Sequence, residues 1–294
     1  MDLRSAAARA TALAASLLAL AFAAGPARAG APPRLDLAIA IDVSGSTAAA
    51  SGIDVDGDGT IGVNPRLDAR LEGQYPRDVQ STDPDDSVLA AELAAVRALL
   101  AGLGEADVRV AIVAFAGNYD PDVGTQQGPP ADNAQLLAPL GDVAEAAAAL
   151  DEIARRGPAG GTDFAAAIRA ARAALCDAPA RPGAERRTLF LTDGVPSLPY
   201  GYATRTDPSD VSIALTAAHE ARACGVRVDV FAIGLGATGD PFASKEVARI
   251  TGGLYRPIRA AGTLRAALEE SLRAAPGTAA AGAPADSPPH DAHR

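Results

Sequence analysis

The chain has 294 residues, with 26 basic and 36 acidic side chains and a formal net charge of −10. Hydrophobic residues make up 48 %, aromatics only 4 %, and tryptophan is absent. That composition fills a globular core and excludes a disordered or collagen-like chain, and the acidic balance excludes a general nucleic-acid binder, which needs a basic face.

From the amino terminus, residues 1–29 read as a secretory signal. Arg4 and Arg9 give a basic start, an apolar run extends from about Ala10 to Ala24, and Ala27-Arg28-Ala29 supplies a small-residue cleavage site. The run falls short of the ~20 residues that span a bilayer. The protein is therefore expected to be exported, periplasmic or secreted, with no stable membrane span once the signal is removed. An oxidising compartment favours a disulfide between Cys176 and Cys224; two buried thiols are the alternative.

Apolar segments then alternate between strand and helix patterns. Leu35–Ile41 is a continuous apolar run and predicts a buried strand. Val88–Leu103 places Leu89, Leu93, Val96, Leu100 and Leu103 on one helical face, with Asp85, Asp86 and Ser87 as its cap. Val108–Ala116 is the next strand, and Ala134–Leu140 a weaker, edge-like one. Val143–Ile153 is helical, as is the stretch carrying Phe164, Ile168, Ala171 and Leu175. Thr188–Thr192 is a strand, Asp207 and Pro208 open a helix to about Ala223, and Val226–Gly234 is a strand. Ser244–Thr251 is a helix, Gly253–Ile258 a last strand, and Leu264, Leu268 and Leu272 mark a closing helix. The order predicts an α/β fold with a mostly parallel sheet covered on both faces. Residues 275–294 are rich in Ala, Pro and Gly without periodicity and read as a disordered tail.

Three segments end in oxygen donors. The first strand runs into Asp42-Val43-Ser44-Gly45-Ser46, the fourth ends at Asp193-Gly194, and Gly160-Gly161-Thr162-Asp163 opens a helix. Sites in such sheets lie beyond the carboxyl ends of the strands, so all three are predicted at one edge. The set offers hydroxyls and carboxylates but no thiol or imidazole, which suits Mg²⁺, Mn²⁺ or Ca²⁺ and not Zn²⁺ or Cu²⁺.

On these residues, the stretch from Leu35 to about Ala274 resembles a von Willebrand factor type A domain. Asp42-x-Ser44-x-Ser46, Thr162 and Asp193-Gly194 match the three parts of that family's metal-ion-dependent adhesion site. The resemblance implies a Rossmann-like, six-stranded sheet of order 3-2-1-4-5-6, with one antiparallel edge strand at Ala134–Leu140. It implies Mg²⁺ or Mn²⁺ held directly by Ser44 and Ser46, by Thr162 directly or through water, and by Asp42 and Asp193 mainly from behind. It also implies a protein partner that presents Asp or Glu to the ion.

The departure from the family is an insertion of about forty residues, 47–86. Its stretch 54–86 carries nine acids against Arg66, Arg70 and Arg77. Asp54, Asp56 and Asp58 take positions one, three and five of an EF-hand-type loop, Gly59 the turn, and the Thr60 carbonyl the seventh position, which predicts Ca²⁺ there. Position twelve, normally a bidentate Glu, is Pro65, so Asp68 or Glu72 is the expected substitute. A solvated acidic loop is the competing reading.

The function expected is therefore a metal-dependent protein-binding module for adhesion or scaffolding, not an enzyme. One alternative is a calcium-dependent surface or matrix protein dominated by the 54–86 loop. Another is a phosphatase or hydrolase. A haloacid-dehalogenase-type phosphatase needs a second Asp where Ser44 stands, and a serine hydrolase needs G-x-S-x-G with a His.

Overall fold

In the computed structural model, residues 34–103, 107–120, 122–202 and 205–273 are described. The signal at 1–29 and the tail at 275–294 lie outside the described residues. Strands β1 (Leu35–Asp42), β2 (Val108–Phe115), β3 (Ala134–Gly141), β4 (Glu185–Thr192), β5 (Val226–Ile233) and β6 (Tyr255–Ile258) form one sheet of order β3-β2-β1-β4-β5-β6. Every neighbouring pair is parallel except β2 and β3, which run antiparallel at the edge. The order and the antiparallel edge are those expected from the sequence.

The apolar runs of the central strands are covered on both faces, as a parallel sheet requires. Leu37, Ile39 and Ile41 of β1 pack on one side against α1 (Val88–Leu103), α2 (Val143–Arg156) and α7 (Leu264–Arg273). Ala38 and Ala40 face the other side, toward α3 (Phe164–Cys176), α4 (Pro208–Ala223) and α6 (Phe242–Thr251). Small residues on both partners bring α3 close to the sheet, and Phe115, Phe164 and Phe190 fill the remaining space, with two ring-centroid distances of 4.9 Å.

Cys176, at the end of α3, and Cys224, just past α4, form a disulfide with a Cα–Cα distance of 6.5 Å. It ties the carboxyl ends of two adjacent helices.

Boundaries differ where polar residues are buried. β4 begins at Glu185, ahead of the apolar run, because Arg187 enters the core and meets Asp229 at 3.0 Å. A short helix, α5 (Gly234–Gly239), follows β5 without a periodic signal. α2 runs on to Arg156, closed by Gly157 at φ 69°, and α6 starts two residues early at Phe242.

The insertion is held in place although it forms only short turns. Asp86, fully buried, accepts from Val55 N at 2.5 Å and from Gly62 N at 3.0 Å. The cap of α1 is therefore Ser87, whose Oγ accepts from Ala90 N, while Asp86 turns to the insertion. Gln80 donates to the Gly45 carbonyl at 2.8 Å, which joins the insertion to the turn after β1.

Candidate metal centre

The carboxyl ends of β1 and β4, adjacent in the sheet, place Asp42 and Asp193 beside each other. Asp42 is fully buried. Its Oδ1 accepts from Ser44 N at 2.9 Å, which curls the chain into a turn, and its Oδ2 accepts from Thr192 Oγ1 at 2.6 Å. Ser44 is buried and Ser46 exposed, so the set runs from a closed floor to an open mouth. Ser46 Oγ donates to Asp193 Oδ1 at 2.7 Å and lies 3.1 Å from Ser44 Oγ.

Thr162 arrives from the loop before α3. Gly45 N donates to the Gly160 carbonyl and Gly161 N to the Gly117 carbonyl, so the loop is stitched to the ends of β1 and β2. Gly160 has φ +88°, and a Cβ there would stand 2.3 Å from the Gly117 carbonyl oxygen; only glycine fits. A Cβ placed on Gly194 would lie 3.7 Å from Thr162 Oγ1 and 3.9 Å from Ser46 Oγ, so both hydroxyls flank the same point. Asp163 caps α3 through Ala166 N and accepts from Asn133 Nδ2 at 2.9 Å. All five residues predicted from sequence, Asp42, Ser44, Ser46, Thr162 and Asp193, thus meet at one edge of the sheet.

Burial raises both Asp42 and Asp193 above the ordinary carboxylate range, and the charge of Asp42 adds to the rise at Asp193. A third acid, Glu92 of α1, is fully buried and raised well above that range, first by desolvation and then by the charges of Asp42 and Asp193. No cationic side chain offsets any of the three among the described residues. Uncompensated buried negative charge beside neutral hydroxyls is a donor set that fits a hard divalent cation. Glu92 and Thr192 carry no local motif: each is set in place by tertiary packing alone.

In the insertion, carboxylate oxygens of Asp54, Asp56 and Asp58 all lie within 4.8 Å of one another, and all three residues are exposed. Their charges are met partly by backbone: Asp54 accepts from Gly57 N and Gly59 N, Asp56 from Asp58 N, and Asp58 from Thr60 N. Asp68 is engaged by the Arg70 guanidinium at 2.6 Å, which leaves it a poor substitute for position twelve. Val63 N donates to Thr82 Oγ1 and Thr82 N to the Val63 carbonyl, and the pairing carries Asp83 to where it feels the charges of Asp86, Asp58 and Asp56.

Residues 77–195 match the family model of the von Willebrand factor type A domain. Solved structures share the fold. BatB of Bacteroides thetaiotaomicron is 17 % identical over 81 % of this chain and 97 % of its own, with a TM-score of 0.51. The PilB minor pilin of Streptococcus sanguinis is 12 % identical over 84 % of this chain and 61 % of its own, with a TM-score of 0.54. The pilus adhesin SpaC of Lactobacillus rhamnosus GG is 16 % identical over 82 % of this chain and 30 % of its own, with a TM-score of 0.51. No curated protein matches the chain. The six-stranded sheet is that of the type A domain.

Proposed function

We propose that this protein is an exported protein-binding module that engages an Asp or Glu of a partner through Mg²⁺ or Mn²⁺. Ser44, Ser46 and Thr162 would hold the ion, with Asp42 and Asp193 supplying negative charge beside them. When bound, the ion supplies a coordination position for an outside carboxylate oxygen. One observation carries the reading: Ser44, Ser46 and Asp193 meet at hydrogen-bond distances, and the Thr162 hydroxyl from a third segment flanks the same point beside Gly194.

The surroundings favour a macromolecular partner. Large apolar side chains stand exposed in segments that leave the carboxyl ends of the strands: Ile61 and Tyr75 after β1, Val123 after β2, Tyr200 and Tyr202 after β4, Leu235 after β5. Exposed apolar and aromatic side chains in such segments suit protein recognition. Export is supported by the signal-like amino terminus and by the Cys176–Cys224 disulfide. No helix among the described residues is long and apolar enough to cross a membrane.

Affinity capture from the native organism tests the reading. Wild-type protein should retain its partner in Mg²⁺ or Mn²⁺ and release it in chelator. Asp42→Ala should lose the partner with an unchanged circular dichroism spectrum. Retention that survives both chelator and Asp42→Ala overturns the proposal.

The proximity of Asp54, Asp56 and Asp58 favours a second ion, Ca²⁺, in the insertion, with the Thr60 carbonyl as a further donor. There the ion would order a loop joined through Gln80 to the turn that carries Ser44 and Ser46. A partner retained by Ca²⁺ but not by Mg²⁺ would make the insertion, not the pit, the dominant site.

A further inference from the structure

The protein buries acids in a consistent way, and one residue departs from it. Asp36, Asp42, Asp86, Glu92, Asp163, Asp193, Asp210 and Asp229 are the buried acids among the described residues. Asp229 shows how a structural one is satisfied: Arg187 and Arg227 each approach to 3.0 Å, Ser271 Oγ donates at 2.7 Å and Leu254 N at 2.8 Å. Asp36 takes two arginines, and Asp210 takes three backbone N–H groups. Glu92 is different. Neither of its carboxylate oxygens has a hydrogen-bond partner, and the residue is fully buried.

Nothing in α1 calls for an acid at that place. Leu89, Leu93, Val96 and Leu100 form the core face, and Glu92 is buried on its flank between Val96 and Leu99. An alanine there would satisfy both helix propensity and the core. A buried carboxyl group without a partner is destabilising in either protonation state, and severely so when ionised. The first turn of α1 is seated on the turn after β1, with Val88 N donating to the Ala49 carbonyl at 2.8 Å, so Glu92, one turn further along, lies where the like charges of Asp42 and Asp193 act on it. A group held in this way needs a counter-charge that the protein itself does not supply.

We propose that Glu92 is a third carboxylate of the metal centre, contributing its negative charge to retention of the divalent ion held by Ser44, Ser46 and Thr162. The inference rests on the metal-centre reading given above and extends it. With an ion held there, two aspartates and one glutamate would supply negative charge to it, and the buried, unpartnered carboxylate of Glu92 would gain a counter-charge. Groups that act on a metal from behind its direct ligands change affinity by about 10–100-fold when removed.

The test is titration of the full chain with Mn²⁺, read by electron paramagnetic resonance of the free ion, alongside melting in chelator. Glu92→Gln keeps the shape and removes the charge. Its Mn²⁺ affinity should fall by about 10–100-fold, and its melting temperature in chelator should stay level or rise, because a like charge is gone from a buried cluster. A structural acid would give the opposite pattern. Unchanged Mn²⁺ affinity overturns the inference, as does a lower melting temperature in chelator. If Glu92→Gln does not fold, Glu92→Ala, suited to α1, carries the same readings. Wild-type protein that binds no Mn²⁺ overturns the metal-centre reading itself and this extension with it. Wild-type binding matched by Glu92→Gln removes the extension alone.

Discussion

The molecule holds two clusters of three acids, and they are solved in opposite ways. Asp54, Asp56 and Asp58 lie exposed in the insertion, where backbone N–H groups accept part of the task and water screens the rest. Asp42, Asp193 and Glu92 lie buried, Asp42 and Asp193 at the carboxyl ends of β1 and β4, with one backbone N–H and two hydroxyls donating to the aspartates, none to Glu92, and no cationic side chain beside them among the described residues. Equal numbers of carboxylates therefore make unequal demands. Charge in a low-dielectric setting is costly by several kcal/mol per ion, while exposed charge interacts weakly. On the function proposed above, the buried cluster is the one a cation would relieve most.

The largest expected effect comes from removing a member of the buried cluster. Asp193→Ala deletes the acceptor of Ser46 Oγ and one of the three charges. Scanning calorimetry should show the Mg²⁺-induced rise in melting temperature abolished, with the metal-free protein as stable as wild type or more so. A Mg²⁺ response preserved in Asp193→Ala would erase the distinction between the clusters.

Acidity offers a second way to sharpen it. Burial raises Asp42, Asp193 and Glu92 above the ordinary range, so the folded metal-free protein binds more protons than the unfolded chain between that range and neutrality. Stability then falls as pH rises across this window. In chelator the melting temperature should be higher at about pH 5 than at about pH 8. Saturating Mg²⁺ should displace those protons and flatten or reverse that slope. A melting temperature in chelator that climbs with pH would contradict the assignment of unpaired buried charge.

How much of this is legible before folding follows from the same contrast. Asp42, Ser44 and Ser46 are spaced two apart at the end of an apolar strand, and Thr162 and Asp193 sit at equally recognisable strand and helix ends. The sheet follows from alternating apolar runs, because each central strand is short, continuous and buried on both faces. Glu92 and Thr192 are not legible, since each sits within an ordinary helical or strand pattern and gains its meaning from a neighbour brought by the fold. Asp86 and Asp83 fall in the same class: acids that read as a helix cap and a charged loop become the anchor and the flank of the insertion. The early start of β4 was hidden for a related reason, because Arg187 looks like a surface residue until Asp229 faces it.

Asp86 connects the two regions and gives an intermediate effect. Asp86→Ala leaves Val55 N and Gly62 N without their acceptor, and unsatisfied donors cost about 1–3 kcal/mol each. The melting temperature should fall, and amide exchange across 55–63 should quicken before any change near Ser44. Exchange that quickens equally in the β1 turn would show that the insertion and the pit open as one unit.

The smallest expected effect is the most discriminating for the exposed cluster. Asp56→Ala removes one acceptor of a local turn and one charge from a mutually repelling trio. These act in opposite directions, and exposed substitutions of this kind shift stability by less than about 0.5 kcal/mol. In chelator, then, Asp56→Ala should melt with wild type. In millimolar Ca²⁺ the two should part, wild type gaining stability by mass action and the variant not. The Mg²⁺ response, which belongs to the buried cluster, should be the same in both. A Ca²⁺ response that survives Asp56→Ala but disappears in Asp193→Ala would assign both ions to the pit, and the acidic insertion would be a solvated surface whose backbone already satisfies it.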